Sequence, residues 1–405
     1  MHPAPERADE AVHAHLAFTR AEDVLPPEGR PPLRRARPMA ADALHGEEAF
    51  AMERCRIQDC TAQGALVPDI VANGFGHVDL TTVPTLSGLL DAVREAGQVS
   101  DGQARAIRRA LTGASLPLAH GRRLRLLFIA PEGFIMRRGG PNGLRVTASA
   151  TAQGMNNHDA AVSVHADQDI NGTPIRQILR GAGPWVFHHR SPASDNRWSP
   201  IFLLNIWVPL QQVTRPLTLM DIQTIDRSAH QLRYGLLTDS FLDRPEDQRI
   251  NDIWTFLHHP DQDWYFTPDA RPGQSYIFQT LSTPHGAFIL PGEARAEQLY
   301  RRLKAAQDAV RQGAPSALRA LAQAPMPATP APQTRPLSAA IDAMAACLQA
   351  ADAQAEAICA GRDEVWAQAA AAATDRVVRK SIEMRAVGII TRDIRPRRSR
   401  VTGPA

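Results

Sequence analysis

The chain has 405 residues, 44% of them hydrophobic and 21% charged, and a formal net charge of +3. That size can bury a large core in one elaborated domain or two, and the near-balanced charge, without an aromatic–basic stripe, argues against a nucleic-acid binder. No apolar run reaches the ~18 residues of a membrane span, no leader pattern opens the chain, and the four cysteines match neither a zinc nor a redox spacing; the expectation is a soluble, cytoplasmic protein with free thiols.

Residues 1–60 are rich in Pro, Arg, Glu and Ala without a sustained apolar pattern, which predicts a partly disordered beginning. Residues 61–120 read as a helical support: apolar residues recur at helical spacing over 86–96, and 101–111 repeats the pattern after a glycine-containing break. From 121 to 290, and again over 376–391, the patterns are those of strands. Arg122 to Ala130 looks like the first strand of a barrel. Ala161 to Asp167 alternates small or polar with apolar residues, Ile201 to Leu210 is rich in strand formers, and Pro216 to Ile222 follows a short polar turn. Gly273 to Leu281 then leads into His285.

Within these strands lies a constellation with metal chemistry. His165 and Asp167 are two apart, so on a strand they project from the same face. With His285 they supply two imidazoles and one carboxylate, the ligand set that holds one face of iron(II) and leaves the opposite positions open. Strands carrying ligands near both ends of such a stretch suit a small antiparallel barrel with the metal at its mouth. His188-His189 and His258-His259 compete for the metal, but neighbours on a strand point to opposite faces. Asp169 shares the parity of Asp167 and is the substitute carboxylate; His158-Asp159 reads as a substrate contact or a loop cap.

The order His165-x-Asp167, Asn-Ile-Trp-Val-Pro-Leu at 205–210, Arg-Pro-Leu-Thr-Leu-Met-Asp at 215–221, Thr-Pro-His-Gly-Ala-Phe at 283–288 and Arg-Lys-Ser-Ile-Glu-Met-Arg-Ala-Val at 379–387 resembles the secondary-metabolism hydroxylases related to the cephalosporin 7-alpha-hydroxylase component. The resemblance covers under half of the chain. It implies a mainly β fold with helices: a double-stranded β-helix, or cupin-like jelly roll, with N-terminal helices and a helical insertion before the last barrel strand. It also implies iron(II) and 2-oxoglutarate as cofactors, with O2 and a small molecule as substrates. An Arg-x-Ser pair on one strand face offers a guanidinium fork and a hydroxyl to a carboxylate. By resemblance, Arg379 and Ser381 take the distal carboxylate of 2-oxoglutarate, with Arg385 as their backup or as a contact for a substrate anion. Asp167, where halogenating relatives carry a small residue, implies hydroxylation-type reactivity, with desaturation or cyclisation as variants.

One departure from that family is the long interval between His285 and Arg379. Residues 291–375 read as a helical insertion or lid: helical spacing from Glu293 to Gln323, a proline-rich linker over 325–332, then an alanine-dominated helical stretch over 338–374. Arg295, ten residues after His285, is a rival co-substrate arginine in a helix-starting context. The insertion also offers a surface for a homo-oligomer. Residues 392–405 form a basic tail of the kind that more often ends in solvent than on a partner. Two other readings stand beside the oxygenase: a cupin-type metalloenzyme that does not use 2-oxoglutarate, and a non-catalytic barrel scaffold.

Overall fold

A computed structural model describes residues 11–28, 32–37, 49–131, 134–146, 154–156, 161–170, 184–237, 250–361 and 363–392. Two sheets face each other. Eight of their strands, in chain order, are Ile135–Gly139, His165–Ala166, Ile201–Gln211, Leu217–Met220, Trp264–Phe266, Ser275–Gln279, His285–Ala287 and Arg379–Arg392. The first pairs with the eighth, the second with the seventh, the third with the sixth and the fourth with the fifth, all antiparallel. This nested pairing is the double-stranded β-helix, or jelly roll, and it brings residues distant in the chain onto adjacent strands.

Further strands widen both sheets. Ala11–Phe18 and Ala51–Asp59 extend the larger sheet on one side, and Ile250–Phe256, Gln231–Leu237, Leu33–Ala36 and Val24–Glu28 on the other. Within residues 1–60, expected to be partly disordered, the described residues include four strands. In Ala11–Phe18 every second residue (Val12, Ala14, Leu16, Phe18) is buried, a period-two pattern that the small alanines and interleaved histidines dilute in the sequence. Arg122–Ile129 is likewise not the first strand of the roll. It pairs with the distal half of Arg379–Arg392, and Ile135–Gly139 takes the inner half.

The helices flank the two sheets. Leu86–Ala96 and Asp101–Leu111 bury Leu90, Val93, Ile107 and Leu111 against the outer face of the smaller sheet, where Ile382, Met384, Leu204 and Ile206 meet them. Ser100 caps the second of these helices through a reciprocal hydrogen-bonded box with Gln103. The insertion contributes Glu293–Arg311, Pro315–Gln323, Arg335–Ala353, Ala355–Gly361 and Glu364–Arg376. Its buried stripe of Leu337, Ile341, Met344, Leu348 and Ala351 recurs at helical spacing and packs with Trp254, Phe256, Trp264 and Phe266 of the larger sheet. Through this stripe the inserted helices back the larger sheet. No helix among the described residues is long and apolar enough to cross a membrane.

The insertion leaves the roll at Gly292, whose φ of +98° and closeness to Pro332 (2.6 Å from an added Cβ) admit only glycine. Glu293 follows, fully buried. Its carboxylate accepts the backbone N–H groups of Leu290 (2.9 Å), Arg215 (2.7 Å) and Asn142 (2.7 Å). Glu293→Ala would leave three buried donors unsatisfied, each costing about 1–3 kcal/mol. We expect a loss of roughly 3 kcal/mol or more, measured by denaturant unfolding.

Candidate metal centre

The alternation of the closing strand decides what faces the interior of the roll. Ile382, Met384 and Ala386 pack with the N-terminal helices. Arg379, Ser381, Glu383 and Arg385 have the opposite parity, so a strand between two apolar layers presents a polar inner face. Beside it, Ile201–Gln211 aligns Asn205 with Arg385 and Trp207 with Glu383. An aromatic and aliphatic lining that includes Phe75, Trp207, Leu217, Leu219, Tyr276 and Phe278 fills the space between the sheets.

On the opposing sheet, His285 and His165 are register partners on adjacent strands. Asp167 lies just past the His165 strand. The potential ligand atoms of the three residues all lie within 4.8 Å of one another: Asp167 Oδ1 is 3.7 Å from His165 Nε2 and Oδ2 is 3.6 Å from His285 Nε2. Both imidazoles are oriented by the same device. Nδ1 of His165 is 2.8 Å from the carbonyl of Ser163, and Nδ1 of His285 is 3.1 Å from that of Thr283. A carbonyl only accepts, so each Nδ1 carries the proton and each Nε2 turns a lone pair toward the shared point. Burial, reinforced by His285, lowers His165 to about 4, which keeps that ring neutral at physiological pH.

Asp167 is held in the ionised form. Burial works against its charge, but His285, Arg385, His165 and Arg137 outweigh it and keep the carboxyl well below the usual carboxylate range. Asn205 donates to its Oδ2, and Thr280 in turn donates to Asn205 Oδ1 at 2.6 Å. Two imidazole nitrogens and one oriented carboxylate, beside a pocket, form a donor set that fits an octahedral divalent transition metal with open positions. Asn205 is the brace of that carboxylate. Asn205→Ala is expected to weaken iron(II) binding about 10–100-fold, the usual cost of losing a partner of a metal ligand, measured by chelator competition.

The pocket beside the three residues is lined by His165 and His285 together with Trp207, Phe278, Arg137, Glu383 and Arg379, among others. Arg379 is buried, stacks over the Trp207 ring at 5.3 Å and donates from Nη1 to the carbonyl of Arg215 at 2.8 Å. Ser381 Oγ is 3.5 Å from its Nη2. Arg385 stands six residues further along the strand, roughly 20 Å away at ~3.3 Å per residue, and meets Asp167 instead, with Nη2 3.5 Å from Oδ1. Arg295 lies in the first turn of Glu293–Arg311, outside the pocket lining.

The rival ligands are engaged elsewhere. His188 stacks on Phe202, His189 bridges the Phe187 carbonyl and Ser194, His258 packs edge-on to Phe18, and His259 lies against His230 and Asp261. Asp169 is committed to Arg233 at 2.5 Å. His158 and Asp159 lie outside the described residues, as do 171–183 and the tail beyond 392. Sequence reasoning missed Asn205, Thr280, Arg137 and Glu383. Asn205 carried a signal, a lone amide inside an otherwise apolar strand, and Glu383 shares the parity of Arg379. Arg137, 2.9 Å from Glu383, carried none.

Comparison with known proteins gives three findings. Residues 136–300 match the family model of the oxidoreductase/YMDC permease-like domain. A solved structure of the iron and alpha-ketoglutarate-dependent endoperoxidase NvfI in a different conformation is 13% identical over 95% of this chain and 99% of its own, with a TM-score of 0.45. A second structure of that endoperoxidase is 13% identical over 94% and 98%, with a TM-score of 0.42. No curated protein matches the chain at a significant level.

Proposed function

We propose that this chain is an iron(II)- and 2-oxoglutarate-dependent oxygenase, related to the cephalosporin 7-alpha-hydroxylase component, that hydroxylates a small natural-product or amino-acid-derived molecule. The observation that carries this reading is one pocket holding both His165 and His285, converged with Asp167, and the buried guanidinium of Arg379. When bound, iron(II) with 2-oxoglutarate and O2 supplies the oxidising power that functionalises an unactivated C–H bond, yielding succinate and carbon dioxide.

The chain's own part is positioning. Ser163 and Thr283 fix the tautomers of the two imidazoles, and Asn205 fixes the carboxylate. The planar fork of Arg379 matches the distal carboxylate of 2-oxoglutarate, with the Ser381 hydroxyl beside it. Trp207, Leu217 and Phe278 exclude water from the space between, which strengthens each of these contacts. Arg385, at the metal end of the strand, serves Asp167 in this assignment.

Anaerobic addition of iron(II) and 2-oxoglutarate to the metal-free protein tests this. The expected result is the weak visible charge-transfer band of the chelate. Tight iron binding without a band would replace the reading with an oxoglutarate-independent cupin, and no iron binding would leave a scaffold.

A further inference from the structure

The turn between Ile201–Gln211 and Leu217–Met220 is held from three sides. Arg215 adopts φ +49°, a left-handed conformation uncommon outside glycine and further disfavoured before Pro216. A residue stays there only when its surroundings over-determine it. The entry of the insertion supplies one constraint, since Glu293 Oε1 accepts the Arg215 N–H at 2.7 Å. The exit supplies the others: Thr214 Oγ1 donates to the Val377 carbonyl at 2.8 Å, and Gln211 Nε2 donates to the Val378 carbonyl at 2.9 Å. The carbonyl of Arg215, in the next peptide unit, accepts Nη1 of Arg379 at 2.8 Å.

We infer that the helical insertion is a clamp on Arg379, and that Glu293 and Thr214 are positioning residues for the co-substrate, an inference that rests on the reading of Arg379 given above. The two ends of the insertion grip one turn, and that turn aims the guanidinium into the pocket. A shift of the Arg215 carbonyl turns the fork away from the carboxylate it receives while leaving His165, Asp167 and His285 in place, because none of the three touches this turn. Small misplacements of a charged fork carry large penalties in a water-excluded pocket.

The test separates two affinities in the anaerobic protein: that for iron(II), by chelator competition, and that for 2-oxoglutarate, by titrating the charge-transfer band. Glu293→Ala is expected to weaken 2-oxoglutarate binding about tenfold or more with iron affinity unchanged. Glu293→Gln keeps an oxygen to accept the Arg215 N–H and should restore most of the loss. Thr214→Val, nearly isosteric, should weaken 2-oxoglutarate several-fold and decides the matter if Glu293→Ala does not fold. Unchanged 2-oxoglutarate affinity in both Glu293→Ala and Thr214→Val, or in Thr214→Val alone where the alanine variant is lost, overturns the clamp. Unchanged affinity in Arg379→Lys, or no band in wild type, overturns the co-substrate reading and the clamp with it.

Discussion

His285→Ala should reduce iron(II) affinity by more than the ~100-fold that the loss of a ligand's supporting partner costs, and bring turnover to background. The fold should survive. The side chain makes one hydrogen bond, to the carbonyl of Thr283, while the strand is held by backbone pairing to Leu217–Met220 and to His165. Phe278, 4.6 Å from the His285 ring, loses a packing partner, so a modest fall in melting temperature accompanies the change. Chelator competition and thermal unfolding of the same preparation distinguish the two effects. Unaltered iron affinity in the folded variant would remove His285 from the metal site, and with it the basis for oxygenase chemistry.

The second large effect is expected at Arg379. Lysine keeps the charge but loses the planar fork, and hydrogen bonds to charged groups contribute about 1.5–3 kcal/mol each. Arg379→Lys should therefore weaken 2-oxoglutarate binding roughly 10–100-fold, visible as a raised KM for 2-oxoglutarate with little change in KM for the primary substrate. Iron affinity should hold, because Arg379 does not contact Asp167. Arg385 behaves oppositely. It lies against Asp167 Oδ1, so Arg385→Gln should alter iron affinity and leave the affinity for 2-oxoglutarate in place. A variant pair with these effects exchanged would place the co-substrate at the other end of the closing strand.

Much of this site was legible before any coordinates. A His-x-Asp pair on an alternating strand and a histidine in a second strand define donor types and a common face, because side chains alternate with period two whatever the rest of the fold does. The closing strand was legible for the same reason, since Arg379, Ser381 and Arg385 share one parity. The braces were harder to read. Asn205 acts on Asp167, and Arg215 on Arg379, across intervals of sequence that no local pattern encodes. The first strands were not legible because short alternating segments with alanine and histidine carry little apolar contrast, and Ala11–Phe18 finds its partner, Ala51–Asp59, only across a long interval of chain.

By itself the sequence determined the types of the candidate ligands, their common face, the polar parity of the closing strand and the helical character of the insertion; each depends only on backbone periodicity and side-chain chemistry. Tertiary structure decided which groups stand together. Nested pairing of first with eighth and second with seventh strands joins His165 to His285 and sets Arg379 across the pocket from both. It also decided that the insertion backs the larger sheet, since its apolar stripe is satisfied there, and that Arg379 lines the pocket while Arg385 meets Asp167. Such assignments depend on which surfaces meet, and that is settled only when the whole chain has buried its apolar faces at once.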